Sequence, residues 1–405
     1  MIDVNGIEKI VDENKEEAVN FLAKMIQTPS VTGEEKAVGA VCKEMMEGMG
    51  LEVKVYEKAP GRPNLVAEWN GNETGKRFVF NGHYDVFPPV SDKPGRYGPW
   101  SGEIVDGKMY GRGTVDMKSG LCATIMAVYM LKKMGFEPKG TVVLSCDADE
   151  EKGGYYGARY LLEEGLLHGD YGICAEPTAP RYAPEKSGVL ITGTGGIRID
   201  IEVYAETCHG AIPHPNINAI EKAEIVMDRI REYAKSIQKE RFYEPFGTGP
   251  FCSITRIHAG EGEAHNMHPG VCTITVDRRV YPMETAEQAK REMDNLLADL
   301  RKENPLIEYS VTYNEVMPKY QLDPESDAVQ AALRAYESVT GEPTFLYERP
   351  GGCDAHLIVE KYGYAMPTFG PGNEALSCME DEWVAVSEYL KFIKVYMAMV
   401  MELLG

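Results

Sequence analysis

The sequence predicts an α/β protein in which a mixed, largely parallel sheet is interrupted by an inserted smaller domain. Helix and strand patterns alternate through the first part of the chain, and the pattern changes between about Gly188 and Asn314. The length of 405 residues also exceeds the usual size of a single hydrophobic core. We therefore expect one domain formed by residues 1–187 and 315–405, and an inserted domain formed by residues 188–314.

The predicted first domain alternates helices with short strands. Helical spacing is present in "KEEAVNFLAKMIQ", "EEKAVGAVCKEMMEGMG", "KSGLCATIMAVYMLKKMG" and "GARYLLEEG". The strand patterns are "LEVKVY", "NLVAEW", "RFVFNG", "GTVVLSCDAD" and "YGICA". Nearly continuous apolar runs such as "GTVVLSCDAD" are typical of strands that are buried on both faces. We therefore expect helices on both sides of this sheet.

The inserted region has a different pattern. Alternating strands are predicted in "GIRIDIEVYAE", "CSITRIHAG", "CTITVDRRVY" and "IEYSVTYN", and long amphipathic helices in "NAIEKAEIVMDRIREYAKSIQ" and "TAEQAKREMDNLLADLRKE". Their order, βαββαβ, predicts a small sheet with helices on one face. The later patterns "ESDAVQAALRAYESVTG" and "AMPTFG" predict a helix and a strand that return to the first sheet.

Composition limits the classes of partner. The formal net charge is -21, from 42 basic and 63 acidic residues, which argues against nucleic acid because binding to phosphates relies on Lys and Arg. The chain starts without a basic region followed by an apolar run, and no stretch approaches the apolar length that spans a bilayer. Nine cysteines without a C-x-x-C pair indicate reduced thiols. We expect a cytoplasmic protein, with no membrane partner, that acts on a small molecule or a short peptide.

Residues that bind metals follow several of the predicted strands. The ends of strands in an open α/β sheet meet at one edge, so we expect these side chains to converge there. Each motif alone has an ordinary interpretation: a surface loop, a solvated helix start, or a helix N-cap. Together they indicate an oxygen-rich site with an imidazole, which suits zinc, cobalt or manganese. The residues are His83 and Asp85, Asp116, Glu150 and Glu151, and Glu176.

Several stretches together resemble the di-zinc amidohydrolases and peptidases that include acetylornithine deacetylase, succinyl-diaminopimelate desuccinylase, aminoacylase and carboxypeptidase G. These stretches, in the family's order, are "GHYDVFP", "WSGEIVDGKMYGRGTVDMKSGL", "DADEEKGGYYGARYL", "EPT", "CHGAIPHPNINAI", "GEAHNMHPG", "VDRRVYP", "GGCDAHLIVE" and "FGPGNEAL". The resemblance implies a zinc-peptidase-like catalytic domain with an inserted ferredoxin-like domain for dimerisation and as a lid. It also implies two zinc ions and a homodimer.

The resemblance implies a role for each residue of the predicted metal site. His83, Asp116 and Glu176 would hold one metal, and Asp116 would bridge to a second metal that Glu151 also binds. Glu150 would be the general base, and Asp85 would orient His83. Neighbouring side chains diverge, which is a chemical reason for Glu150 and Glu151 to have different roles. The family also commonly holds the peptide bond after the bridging aspartate in the cis form.

Further roles are implied for the inserted domain and the region that follows it. His209 would reach the partner subunit's active site and stabilise the developing oxyanion. Asn266 and Arg279 would bind the substrate's carboxylate, with Arg278 as the competing candidate. Two glycines in "GGCDAHLIVE", Gly351 and Gly352, would also contact substrate.

One residue departs from the family's pattern. The family has H-x-x-D-E after "FGPG", with the histidine binding the second metal, whereas this chain has "CMEDE", which begins at Cys378. Thiolate is a good zinc ligand, so we expect Cys378 to replace that histidine. The alternative is a neutral thiol beside a weak or absent second metal. His356 is the last histidine in the chain, and its matched position lies at a helix start used for packing or substrate contact.

The sequence therefore predicts a metal-dependent hydrolase that cleaves the amide bond of an N-acyl amino acid, as a deacetylase or desuccinylase does. A dipeptidase or carboxypeptidase of the same family is the alternative within enzymes, because both share the catalytic groups. An alternative of another class is a binding or structural module that has lost catalysis, which the altered residue at position 378 would explain.

Overall fold

The computed structural model describes residues 2–89, 95–211, 218–260 and 265–405. Parts of two of the stretches that carry the family resemblance, at 212–217 and 262–264, lie outside these residues. The chain forms two compact units. The first unit contains Met1–Ile191, Leu322–Tyr347 and Cys353–Gly405, and the second contains Thr192–Gln321 and Glu348–Gly352. Among the described helices, none combines the length and the apolar character that crossing a membrane requires.

The helices and strands are defined here in chain order. Within the described residues the α-helices are α1 (Val4–Glu13), α2 (Lys15–Gln27), α3 (Lys36–Gly48), α4 (Lys118–Lys133), α5 (Ala158–Glu163), α6 (Ala219–Glu240), α7 (Ala286–Glu303), α8 (Asp327–Thr340), α9 (Asp354–Tyr362) and α10 (Val386–Leu404). The strands are β1 (Val53–Glu57), β2 (Pro63–Asn70), β3 (Glu73–His83), β4 (Ile104–Val105), β5 (Lys108–Tyr110), β6 (Lys139–Asp147), β7 (Tyr171–Cys174), β8 (Val189–Gly193), β9 (Gly195–Tyr204), β10 (Cys208–His209), β11 (Cys252–Ala259), β12 (Met267–His268), β13 (Val271–Val280), β14 (Glu308–Met317), β15 (Tyr320–Gln321), β16 (Leu346–Glu348) and β17 (Trp383–Ala385).

The first unit contains a five-stranded sheet in the order β1-β2-β6-β3-β7. Strand β3 runs parallel to β6 and to β7, whereas β2 is antiparallel to β1 and to β6. The predicted mixed sheet is confirmed, with two of these four pairings parallel. The residues Phe78, Val79 and Phe80 of β3 are all fully buried, which agrees with the apolar run that predicted a strand covered on both faces.

Two helices supply much of the core of the first unit. Helix α4 is buried along nearly its whole length, and α10 packs against it. Aromatic residues of α10 extend this core towards the sheet, where the rings of Tyr396 and Phe80 lie 5.5 Å apart in an edge-to-face arrangement. This well-packed interior supports the strands of the sheet.

The second unit is a βαββαβ fold, as predicted. Its four-stranded sheet has the order β11-β13-β9-β14, and every pairing is antiparallel. Helices α6 and α7 pack on one face, where Ile201, Val226, Ile274 and Leu297 belong to the same buried cluster. The other face is polar, because alternate residues of an antiparallel strand point away from the core.

Candidate metal centre

The edge of the first sheet brings the predicted site residues together. His83 is the last residue of β3 and lies opposite Asp147 at the end of β6, because these two strands are parallel and in register. Glu150 and Glu151 come three and four residues after the end of β6, and Glu176 comes two residues after the end of β7. Parallel strands that end together deliver their following side chains to one edge.

The distances show that these side chains form one cluster. His83 Nε2 lies 3.2 Å from Glu176 Oε1, 3.4 Å from Asp116 Oδ1 and 3.9 Å from Glu150 Oε2. Ligand atoms of His83, Glu150 and Glu176 all lie within 4.8 Å of one another, and so do those of His83, Asp116 and Glu151. The predicted convergence is confirmed. The bond between Asp116 and Met117 is cis, as the resemblance implies.

The imidazole of His83 supports the assignment of this cluster as a metal site. Nδ1 lies 3.0 Å from the backbone oxygen of Asp85, which suits an N–H donor at Nδ1. In the neutral ring that can bind a metal, the lone pair would then be on Nε2, which is buried among carboxylate oxygens and makes no hydrogen bond of good geometry. A histidine held through one nitrogen with the other directed at acidic groups is the usual arrangement of a metal ligand. The donor set of one imidazole and several carboxylates fits a divalent cation.

The pKa values of the cluster indicate crowded negative charge. Burial raises the pKa of Glu151 to about 10, and the Asp116 carboxylate adds to this effect. Burial likewise raises the pKa of Glu150 well above its usual value, as do the nearby carboxylates of Asp354 and Glu176. Burial alone would lower the pKa of His83, but Asp116 and the other carboxylates around it raise this pKa well above its usual value. Divalent cations would neutralise this charge.

Asp85 has contacts beyond the orientation of His83. Its Oδ1 accepts a hydrogen bond from the backbone N–H of Glu150 at 3.0 Å, and its Oδ2 accepts one from Glu151 N at 3.3 Å. Oδ2 also accepts a hydrogen bond from Thr32 Oγ1 at 2.8 Å. Asp85 is fully buried, so a single carboxylate joins the histidine-bearing strand to the turn that carries both glutamates.

Glu382 is a residue of this region that the sequence interpretation missed. It is buried, and its Oε1 accepts hydrogen bonds from the backbone N–H groups of Val115 at 2.8 Å and Asp116 at 3.2 Å. Its Oε2 lies 3.0 Å from Arg112 Nη1. Burial raises the pKa of Glu382 to about 7. Glu382 therefore holds the turn of Asp116. The sequence feature that could have indicated this role is the final glutamate of "CMEDE", the motif that also contains Cys378.

Cys378 lies outside both groups of potential metal ligands among the described residues. It is exposed and has a left-handed backbone conformation, with φ of 63°. Partial burial of the thiol raises its pKa to about 12, and the carboxylates of Asp116 and Glu151 act in the same direction. The thiol is thus close enough to the cluster to sense its charge. Ligation by Cys378 stays a prediction. His356 is buried in α9 and belongs to neither group.

In the second unit the predicted residues His209 and Asn266 are exposed. His209 pairs with Met267 in a short two-stranded ladder, and its Nε2 lies 3.2 Å from Asn266 Nδ2. Gly351 is half-buried, and its N–H donates to Thr194 Oγ1 at 3.2 Å. Gly352 is exposed.

The two adjacent arginines have different surroundings. Arg278 is fully buried, with Nη1 and Nη2 at 3.0 and 2.7 Å from the carboxylate of Glu284. Arg279 has 39% of its side chain exposed and donates to Asp277 Oδ2 at 2.9 Å. Arg279 also lines a cavity of about 310 Å³ on the polar face of the sheet, together with Arg198 and Arg256. Arg278 is therefore engaged within the unit, and Arg279 is available to a ligand.

A family model described as peptidase family M20/M25/M40 matches residues 79–402, which include all of these candidate residues. The chain belongs to this family. The prediction of a hydrolase that acts on amide bonds is thereby confirmed, and the metal cluster agrees with it.

Curated relatives of this M20 chain include succinyl-diaminopimelate desuccinylases. The one from Cereibacter sphaeroides is 26% identical and the match covers 94% of this chain and 99% of the relative. The one from Gluconacetobacter diazotrophicus is 27% identical, over 96% of this chain and 97% of the relative.

Solved structures share the fold of this M20 chain. The aminopeptidase PepT from Bacillus cereus is similar with a TM-score of 0.75 and 22% identity, over 96% of this chain and 99% of that one. The YXEP protein from Bacillus subtilis, described as a dinuclear metal binding peptidase from the M20 family, has a TM-score of 0.67 and 19% identity, over 97% and 100%. The family therefore includes a protein that binds two metals.

Proposed function

We propose that this chain is a zinc-dependent deacylase that hydrolyses the amide bond of an N-acyl amino acid, as a desuccinylase or deacetylase does. The observation that carries the proposal is the clustering of His83 with Asp116, Glu150, Glu151 and Glu176 within bonding reach of a metal. Full-length relatives that are named succinyl-diaminopimelate desuccinylases favour this substrate class over a peptide.

The cluster offers ligands for two metals. His83, Asp116 and Glu176 would hold the first, and Asp116 would bridge to a second that is also held by Glu151 and Cys378. When bound, such cations lower the pKa of water and polarise the amide carbonyl. We propose zinc because imidazole, carboxylate and thiolate are all ligands that zinc accepts.

Glu150 is the proposed general base. Its carboxylate belongs to the same group as His83 and Glu176, so it lies where it can take a proton from the attacking water. The same carboxyl group then gives the proton to the leaving amine. The hydrogen bonds from Glu150 N and Glu151 N to Asp85 keep these two side chains directed to different partners.

We propose that residues 1–187 and 315–405 form the catalytic domain, and that residues 188–314 form the dimerisation and lid domain. In a homodimer, His209 would stabilise the oxyanion in the partner's site. Arg279, Asn266, Gly351 and Gly352 would bind the carboxylate end of the substrate. Arg279 suits this role because its guanidinium is partly exposed and lines a cavity. The proposed location is the cytoplasm.

The experiment is a substrate panel with the zinc-loaded protein. It should contain N-succinyl and N-acetyl amino acids and dipeptides. It should also contain the corresponding N-acylated alkylamines, which keep the amide bond and lack the carboxylate of the amino acid. We expect hydrolysis of an N-acyl amino acid and none of its carboxylate-free analogue. Faster cleavage of dipeptides would favour the peptidase alternative, and no hydrolysis of any compound would favour a module that has lost catalysis.

A further inference from the structure

A buried ion cluster lies behind the turn that carries Glu150 and Glu151. Arg62 Nε and Nη2 donate to the two carboxylate oxygens of Glu35 at 2.6 and 2.7 Å, and Nη2 also donates to Asp149 Oδ1 at 2.7 Å. The exposed fractions of these side chains are 13% for Arg62, 0% for Glu35 and 4% for Asp149. None of the three belongs to the groups of potential metal ligands in the described part of the chain.

Asp149 is the residue through which this cluster acts on the site. It has φ of 67°, a left-handed conformation that is uncommon for residues other than glycine, and it directly precedes the short helical turn Glu150–Lys152. Such a conformation persists when the surrounding contacts fix it. Its Oδ2 accepts a hydrogen bond from Tyr156 N at 3.0 Å, and its backbone oxygen accepts one from Gly154 N at 2.8 Å.

The other end of the cluster is fixed independently. Glu35 is the N-cap residue of α3, and its Oε1 also accepts a hydrogen bond from Gly33 N at 2.9 Å. Arg62 therefore joins the start of one helix to the turn after β6. The guanidinium of Arg62 also lies over the ring of Tyr156, with 5.0 Å between the guanidinium carbon and the ring centre.

We propose that Arg62 is a positioning residue of the hydrolytic site: by binding Asp149 against Glu35, it fixes the left-handed turn from which Glu150 and Glu151 diverge. A planar guanidinium suits this role because it can bind one carboxylate with two donors and still reach a second. A lysine in its place would offer a single nitrogen to both carboxylates. The proposal rests on the proposed function, since Glu150 and Glu151 are the general base and a metal ligand there.

The test compares Arg62→Met, Arg62→Lys and Arg77→Met. Arg77 is a matched control because it is an arginine of β3 with 17% of its side chain exposed, and it pairs with Glu68 at 2.7 Å. It lies six residues before His83, away from the end of β3 that carries His83. For each protein we would measure the thermal midpoint, kcat and KM on the best N-acyl substrate, and zinc affinity by calorimetric titration of the metal-free protein.

We expect Arg62→Met to lower kcat by about 10- to 100-fold with little change in KM, and to weaken the zinc site that uses Glu151 by a similar factor. The scale is that of removing a residue that orients a metal ligand, which Arg62 would do through the turn at Asp149. Arg62→Lys should recover part of both losses. Arg77→Met should lower the thermal midpoint and leave kcat and zinc affinity unchanged. A parent-like kcat and zinc affinity in Arg62→Met would overturn the proposal.

Two further readouts separate this inference from the proposed function. If the parent protein hydrolyses no substrate, the deacylase proposal fails, and the zinc titration still tests Arg62. A crystal structure of the metal-free Arg62→Met protein needs neither zinc nor substrate. We expect Asp149 to leave the left-handed conformation in that variant. Retention of the turn, with Glu150 and Glu151 unmoved, would show that Arg62 does not position them.

Discussion

The two units present their candidate residues in opposite surroundings. In the first unit, the cluster around His83 is largely buried, and Asp85 and Glu382 hold the backbone on either side of it. In the second unit, His209 and Asn266 are exposed and contact each other. A buried group is fixed by its own unit, whereas an exposed polar group is free to contact something else.

Under the proposed function, this difference predicts two kinds of contribution to the reaction. The buried carboxylates have pKa values raised by burial and by one another, which is a cost that a bound cation would relieve. The exposed pair presents polar atoms that are available to a substrate or to a second copy of the chain. The first unit should therefore determine chemistry and metal binding, and the second should determine recognition. Five substitution experiments test this division.

The largest effect is expected from Glu150→Gln. Removal of the proposed general base should lower kcat by about 100- to 10,000-fold. Zinc stoichiometry should stay at the parent value, because the amide keeps the shape of the side chain and other residues hold the metals. Glu163→Gln is the control, since Glu163 is an exposed carboxylate that pairs with Lys58. Substantial kcat in the Glu150 variant would assign the base to another residue.

His209→Ala tests the exposed pair. If His209 stabilises the oxyanion, its loss should lower kcat by about 100- to 1,000-fold. The free energy of unfolding should change by about 0.5 kcal/mol or less, as is usual for exposed positions. His258→Ala serves as the control because His258 is exposed on β11 of the same unit. An unchanged kcat would mean that His209 is an ordinary surface histidine and that recognition in this unit lies elsewhere.

The adjacent arginines separate stability from recognition within the second unit. Arg278→Met removes the buried guanidinium that donates to both carboxylate oxygens of Glu284 and leaves Arg241 as the other charged partner, so it should lower the free energy of unfolding by about 1.5–3 kcal/mol. Arg279→Met should have little effect on unfolding and should raise KM by about 10- to 100-fold, the value of a charged hydrogen bond. Urea unfolding of both variants measures the free energy of unfolding, and steady-state kinetics measure KM. If Arg279→Met destabilised the fold and Arg278→Met raised KM instead, Arg278 would be the residue that binds the substrate's carboxylate.

The sequence predicted the fold and the metal cluster well because both depend on periodic patterns. The apolar run of β3 and the alternation of β9 determine which faces are buried, and strand ends determine where His83 and Glu176 meet. The sequence interpretation left Arg278 and Arg279 as competing candidates, although the alternation of β13 separates them: Arg278 is in phase with the buried residues Ile274 and Val276, and Arg279 is on the other face.

The supporting contacts were also beyond the sequence interpretation. Glu382 is 266 residues from Asp116, and Arg62 is 87 residues from Asp149. Contacts of this separation leave no local pattern, since a buried ion pair and a solvated one have the same residue types. The left-handed turn at Asp149 is a tertiary feature of the same kind.

Cys378 tests whether the first unit completes its metal site with an exposed residue. If the thiolate is a ligand, Cys378→Ser should weaken the second zinc site by at least about tenfold, because even outer partners of ligands have such effects. Cys378→His should retain zinc, since histidine tolerates the left-handed backbone found there. Calorimetric titration with zinc measures both, with Ser377→Ala as the control. Equal zinc affinity in all variants would rule out ligation by Cys378.

The smallest expected effect is on how stability depends on pH. The contribution of Glu292 in the second unit should have the opposite sign to the contributions of Glu150 and Glu151 in the first unit. Burial alone would raise the pKa of Glu292, but hydrogen bonds from Arg241, Gln288 and Tyr233 lower it to about 2. Because this pKa is below the unfolded value of about 4.3, Glu292 stabilises the fold above that pH and the contribution is lost as pH falls towards 2. The raised pKa values of Glu150 and Glu151 act in the opposite sense, since protonation of those groups stabilises the metal-free fold as pH falls.

Glu292→Gln should therefore reduce the loss of stability on acidification, by about 1 kcal/mol or less because the pair with Arg241 is partly exposed. Urea midpoints at about pH 5.5 and about pH 3.5, roughly one unit above and below the unfolded pKa of about 4.3, would measure the change. Glu232→Gln is the control, as Glu232 is exposed and lies 3.6 Å from Arg229. If the parent and the Glu292 variant lose the same stability on acidification, the Glu292–Arg241 pair does not contribute to the pH dependence. The acid sensitivity would then arise from other carboxylates.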